Sequence, residues 1–346
     1  MNILDRALAA LLCLPFLTGC MGHKTAEEPE TVEPDTCTVQ EVEALVPEST
    51  QLTIWSTYWD CAGDIEVLQD EAEKVDEISL FAASFQNGEV TIPEPTTRML
   101  KKIRRREQTK NKTVYLSIVN DVTENGKTTQ KDTAILQKVL GTDEAAQSHA
   151  EQLVRLASEN GFDGIEIDYE KIRKDLDLWQ AFLKFEEKLL LLAEDAGLKV
   201  RIVLEPSTPV EQLDFPAGAE YVVMCYNLYG NGTMPGPKAD FAFLQQVYEK
   251  FRVLPNISYA LANGGYIWEN DGTTATQCRA AEAKALAEKA GVTPERDESS
   301  GALYFSYTEG RKNDTVWYAD EQTLAQWTRC LGELTGEKVF ISLWRL

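Results

Sequence analysis

The chain has 346 residues, of which 43% are hydrophobic, and a formal net charge of −22 at pH 7. That length permits one large core or two smaller ones, and the acidity argues against nucleic acid or an anionic membrane surface as a partner, because phosphate binding wants a basic footprint. With only His23 and His149 for histidines there is little material for Ser-His-Asp or Cys-His catalysis or for histidine-rich metal sites, so carboxylates are the available acids and bases.

Residues 7–17 are apolar but much shorter than the roughly 20 residues a spanning helix needs, and they lead into Leu17-Thr18-Gly19-Cys20. The pattern resembles a bacterial lipoprotein signal, with residues 1–20 as the signal segment and Cys20 as the lipidated residue. The expectation is an extracytoplasmic protein of the cell envelope, tethered to the membrane; an ordinary secretory signal with a chance cysteine is the alternative. Residues 21–49 are acidic and rich in Pro and Thr, the composition of a solvated tether. Cys37, Cys61, Cys225, Cys278 and Cys330 are odd in number and lack C-x-x-C spacing, which argues against zinc or a redox motif and leaves disulfide pairing open.

From residue 50 onward, short apolar or β-branched runs alternate with helical patterns. Residues 52–55, 77–81, 114–119, 164–170, 200–204, 221–226, 257–261 and 339–343 read as strands. Between them, residues 144–158 carry Ala146, Ala150, Leu153 and Ala157 at helical spacing and end at Asn160-Gly161, a C-cap signal; residues 179–192 form another helix. This alternation predicts a (β/α)8 TIM barrel over residues 50–346, with chemistry at the C-terminal strand ends. A two-lobed α/β binding protein is the competing architecture. Residues 264–338 read as an insertion over the barrel mouth, holding a helix at 276–290 and a hairpin of 303–307 with 316–318. Because the sequence stops directly after the eighth strand, a full eighth helix is not expected, and residues 21–50 are a candidate to cover that side.

Residues 165–170 alternate apolar and acidic, which puts Glu166, Asp168 and Glu170 on one face of the fourth strand and Ile165, Ile167 and Tyr169 on the other. Inward residues on one strand are about 6.6 Å apart, so neighbouring carboxyl side chains can share a proton and raise one pKa. Glu170, at the rim, is placed to be the raised one, as a general acid requires. A linear stripe does not supply the converging oxygens a hard cation needs, so no metal is expected.

The run Asp163-Gly164-Ile165-Glu166-Ile167-Asp168-Tyr169-Glu170 resembles the D-G-x-D-x-D-x-E signature of glycoside hydrolase family 18, the chitinase and endo-β-N-acetylglucosaminidase barrels. Met224-Cys225-Tyr226-Asn227 resembles that family's M-x-Y-D/N, Trp344 resembles its tryptophan beneath the reacting sugar, and Gly265-Tyr266-Ile267-Trp268 is similar to the G-Y-x-W of the spore-cortex and chitobiase-like branch. The resemblance implies a retaining hydrolase of β-1,4-linked N-acetylglucosamine glycans in which the substrate's own acetamido oxygen is the nucleophile, an exception to the two-carboxylate rule. It further implies Glu170 as general acid and base, Asp168 as partner of the acetamido N–H, Tyr226 as positioner of its carbonyl, and Trp344 as the stacking platform. Asp163, Glu166, Met224 and Asn227 come with the motifs, and no cofactor is implied.

Trp55, Tyr58, Trp59, Tyr266, Trp268 and Trp317 are candidate glycan platforms, with plain packing as the equal alternative. Glu205, after the fifth strand, is the second candidate nucleophile. Glu166 departs from the family pattern, which has Asp there, and this leaves a non-catalytic glycan-binding lipoprotein as the functional rival. The candidate substrates are peptidoglycan, chitooligosaccharide and the chitobiose core of N-glycans.

Overall fold

The computed structural model describes residues 51–345, Arg311 and Lys338 excepted. The expected signal, its Cys20 and the tether lie outside the described residues. Eight parallel strands close into a ring: β1 (Gln51–Thr57), β2 (Glu77–Gln86), β3 (Thr113–Glu124), β4 (Gly164–Asp168), β5 (Lys199–Leu204), β6 (Glu220–Met224), β7 (Ile257–Ala262) and β8 (Phe340–Trp344), with β8 paired back onto β1. This is a (β/α)8 TIM barrel. Around it run α1 (Cys61–Asp70), α2 (Glu94–Arg105), α3 (Thr133–Leu140), α4 (Asp143–Asn160), α5 (Leu176–Asp195), α6 (Phe241–Phe251) and, after α7 (Ala280–Ala290) of an inserted stretch, α8 (Glu321–Thr335). Only a 3-10 turn, Val210–Gln212, stands between β5 and β6, where a full helix would be regular.

Local chemistry sets the helix ends. Thr142 caps α4 by accepting from the Ala145 N–H, and Gly161 closes it at φ 79°, a conformation glycine adopts without a Cβ clash. Asp175, Asp240 and Asp320 cap α5, α6 and α8 in the same way. The outer core lies between strands and helices, with Ile78, Leu116, Ile165, Ile167, Ile202 and Leu153 fully buried in it. Each such aliphatic side chain contributes about 1.5–3 kcal/mol by burial. Inside the ring a second cluster gathers Trp55, Val203, Val222, Met224, Tyr226, Ala260 and Ala262, with Phe81 and Trp344 packed on it.

Several strands and helices run longer than the sequence expectation, and three boundaries fall two or more residues short of it. Strand β4 ends at Asp168, because the Glu170 N–H bonds the Asn120 side chain at 2.9 Å instead of a ladder carbonyl. Strand β6 ends at Met224. The helix expected from residue 276 starts at Ala280, since Ala275–Cys278 pairs antiparallel with Gly264–Trp268.

The inserted stretch is a five-stranded antiparallel sheet, in the order Ala275–Cys278, Gly264–Trp268, Lys312–Ala319, Leu303–Glu309, Glu295–Arg296, backed by α7 around Phe305, Val316 and Tyr318. It ends at Ala319. Helix α8 then returns to the barrel and packs on α6 and β7. Cys61, Cys225 and Cys278 are free thiols, whereas Cys330 on α8 is disulfide-bonded.

Candidate active site

The parallel register places Glu166 of β4 beside Ser117 of β3 and Arg201 of β5. Glu166 is fully buried and accepts from Trp55 Nε1 at 2.6 Å and Ser79 Oγ at 2.7 Å, while Arg201 Nε lies 3.3 Å from its other oxygen. Arg201 is likewise fully buried, 3.9 Å from Glu77 and 3.7 Å from Glu220, and it donates to Ser342 Oγ at 2.5 Å. Its guanidinium sits 5.8 Å from the Trp55 ring and 5.1 Å from the Tyr115 ring. The longer acid at 166 is therefore neutralised by a buried cation at the same height in the barrel. Gly164 makes room for this arrangement: a Cβ there would come within 2.5 Å of the Tyr115 ring that flanks Arg201.

One layer higher, Asp168 is 8% exposed, and its Oδ1 has no hydrogen-bond partner among the described residues. Burial, with Glu170 beside it, holds the Asp168 carboxyl well above the usual carboxylate range, and Lys131 opposes that rise. Glu170 follows the strand, yet the alternation persists, because Tyr169 turns outward to meet His149 Nε2 at 2.7 Å behind the sheet. Burial pushes the His149 imidazole down to about 4, so it is neutral at working pH.

The Glu170 main chain is clamped by the Asn120 amide, which receives its N–H at 2.9 Å and donates to its carbonyl at 3.0 Å. Its carboxylate forms an ion pair with Lys131, whose backbone at φ 55° is held by a bond from its N–H to Asp121 Oδ1 at 2.8 Å. Burial raises the Glu170 carboxyl above its ordinary range and Lys131 pulls it back. Tyr226, 9% exposed, is kept protonated by its own burial and by the surrounding carboxylates.

Asp168, Glu170, Tyr226, Met224, Asn227, Trp55 and Trp344 thus line one cleft at the C-terminal mouth, a cavity of about 360 Å³, together with Phe81, Trp59 and Lys131. The Trp344 ring packs edge-on against Phe81 at 4.9 Å and Trp55 at 5.9 Å. A larger cavity of about 890 Å³ opens at the other end, around Glu77, Lys199 and Glu220. The mouth is the better candidate, because loops and strand ends converge there with the Asp168–Glu170 carboxyl pair.

Four expected residues take other positions. Asp163 stands at the N-terminal end of β4, away from the mouth, where it pairs with Arg104 at 2.5 Å and accepts the Val114 N–H at 2.8 Å; it holds strands together. Trp268 is fully buried and gives its Nε1–H to the Thr233 carbonyl at 2.9 Å, so it offers no face to a ligand. Tyr266 stands behind Asn227, its hydroxyl 3.4 Å from Asn227 Oδ1. Glu205 accepts the Lys171 N–H at 2.8 Å and does not line the cleft. Trp55 reaches the cleft but is 2% exposed and serves mainly as packing and as donor to Glu166. Lys131, Asn120 and Arg201 were missed. Of these, only Arg201 left a signal, as one charged residue inside the otherwise apolar run 200–204.

A closed β/α barrel with a carboxyl pair and an aromatic floor at its mouth defines a class of carbohydrate-processing proteins. The sequence profile of glycosyl hydrolases family 18 matches residues 52–333, and the chain belongs to that family. It is 25% identical over 210 residues to the uncharacterized glycosylase YvbX of Bacillus subtilis (strain 168), a match covering 56% of this chain and 60% of that relative. In fold it is similar to the spore cortex-lytic enzyme SleL of Bacillus megaterium QM B1551, with TM-score 0.70, 18% identity and coverage of 86% of this chain and 70% of that one. It is also similar to a chitinase from Chromobacterium violaceum ATCC 12472, with TM-score 0.69, 20% identity and coverage of 86% and 94%.

Proposed function

We propose that the protein is a retaining glycoside hydrolase that cleaves β-1,4-linked N-acetylglucosamine glycans by substrate-assisted catalysis. The observation that carries this reading is the buried, unpartnered Asp168 Oδ1 beside Glu170 and Tyr226 in a cleft floored by Trp344. A sugar seated on Trp344 would present its acetamido group to Asp168 and Tyr226. Protonated Glu170 gives its proton to the glycosidic oxygen as the acetamido carbonyl oxygen closes on the anomeric carbon. Asp168 accepts the N–H of the resulting oxazolinium ion, and the Tyr226 hydroxyl donates to the acetamido oxygen. The Glu170 carboxylate then takes a proton from the water that opens the ring, which restores the starting acid.

The Arg201 pairing supports a structural place for the longer Glu166, which shares that one cation with Glu77 and Glu220 and still helps to raise the Asp168 carboxyl above it. Release assays on chitobiose, a high-mannose glycopeptide and a muropeptide test the proposal. Glu170→Gln is expected to lose about 10²- to 10⁴-fold in kcat on whichever glycan the parent cleaves. If the parent leaves all three intact, the chain is a binder and the hydrolase reading fails.

We further propose that Cys20 anchors the protein to the outer face of the membrane. The disulfide at Cys330 supports an oxidising compartment, where such bonds persist.

A further inference from the structure

A second cavity, about 610 Å³, joins the mouth: Trp59, Lys238, Gln277 and Trp344 line both. It is cationic in a chain of net charge −22. Lys238, 8% exposed, sends Nζ to the Asn263 carbonyl at 2.9 Å and lies 5.4 Å from the Tyr266 ring. Arg279 Nη2 stands 3.1 Å from Asp60 Oδ2, and Arg345 pairs with the same oxygen while its guanidinium lies 5.6 Å from the Trp59 ring. The other lining carboxylate, Glu282, is turned back to the Arg279 N–H at 2.8 Å. Three cations thus face two carboxylates, an excess of one positive charge: both arginines share Asp60, and burial pulls the Lys238 ammonium down to about 8.

A protein this acidic repels anions at a distance, so the annex cannot serve to steer them. Its use is short-range recognition, and guanidinium groups are suited to carboxylates through paired N–H donors. A neutral N-acetylglucosamine chain offers them hydroxyl and carbonyl acceptors but no opposite charge. Glu170, Asp168, Asn120 and Lys131 do not line the annex, so a carboxylate bound there makes no contact with the proposed acid.

We propose that this annex binds a carboxylate carried by the glycan, on a residue next to the sugar over Trp344, so that the preferred substrates are acidic rather than neutral chains. The proposal rests on the reading of the mouth as the sugar site.

Calorimetric titration of the Glu170→Gln protein tests it without turnover. The probes are a tetrasaccharide of alternating N-acetylglucosamine and N-acetylmuramic acid, the same compound with its carboxylates converted to carboxamides, the acid form bearing its stem peptide, and tetra-N-acetylchitotetraose. The acid is expected to bind about tenfold more tightly than the carboxamide at low salt, with the advantage shrinking at high salt. Arg279→Gln, on a half-exposed side chain, should cut that advantage to below about threefold. A gain confined to the peptide-bearing probe assigns the carboxylate to the peptide and keeps the proposal. Equal affinity of acid and carboxamide, or no binding by any probe, overturns it. Cleavage by the parent is read separately. Hydrolysis with equal affinities removes the annex and keeps the hydrolase; acid preference without hydrolysis does the reverse.

Discussion

At Glu170 two opposing influences meet in one carboxyl group: burial favours the proton and the Lys131 ammonium expels it. The proposed first step needs Glu170 protonated, so the alkaline limb of kcat/KM follows its titration. Replacing Lys131 by Met removes the influence that lowers the pKa. The expected outcome is an alkaline limb displaced to higher pH, read from a pH series of kcat/KM on a neutral oligosaccharide; a limb that stays in place or moves down rejects this role for Lys131. The acidic stripe was legible in the sequence because a two-residue period survives the end of the strand, carried by Tyr169 turning back to His149. Lys131 and Asn120 were not, since they lie 39 and 50 positions from Glu170 and only barrel closure brings them to it. The tryptophan of the G-Y-x-W run misled for a related reason. Aromatic side chains serve cores and platforms alike, and the partner of Trp268, the Thr233 carbonyl, belongs to another loop.

Among the elements, the barrel interior depends on one guanidinium. Arg201 on β5 faces Glu77 of β2, Glu166 of β4 and Glu220 of β6, so three strands direct acids at a single cation. Deleting one partner of a buried ion pair leaves uncompensated charge and costs about 3–5 kcal/mol. Arg201→Met is therefore expected to lower unfolding free energy by about that amount in urea titrations, and adding Glu166→Gln should recover part of the loss. A single variant within about 1 kcal/mol of the parent would reject the pairing as a structural requirement. The alternation of strands and helices and the hairpin were readable, because period-2 and period-3.6 patterns are local, whereas the expected extent of the insertion, to 338, overshoots: its sheet ends at Ala319 and α8 packs on the barrel. The shortened β4 and the late start of α7 were not readable. Each boundary is decided by a partner elsewhere, Asn120 for the one and the Gly264–Trp268 strand for the other.

For the whole molecule, the proposed lipid anchor at Cys20 would decide where any glycan is met. The expected outcome is that the parent sediments with membranes and is released by detergent, whereas Cys20→Ala is recovered in the soluble extracytoplasmic fraction. Equal soluble recovery of both would reject the anchor. No described helix is long and apolar enough to cross a membrane.

The clamp between Asn120 and Glu170 has a bearing on how this fold tolerates change. Two hydrogen bonds with the Asn120 amide splice the acid onto the third strand, beyond the point where its own strand has stopped pairing. The proposed proton donor would therefore inherit its height above the floor from a neighbour. A deletion of one residue within Thr113–Asn120 would leave the acidic run itself unchanged and still turn the Asn120 side chain to the other face of its strand, which removes the clamp.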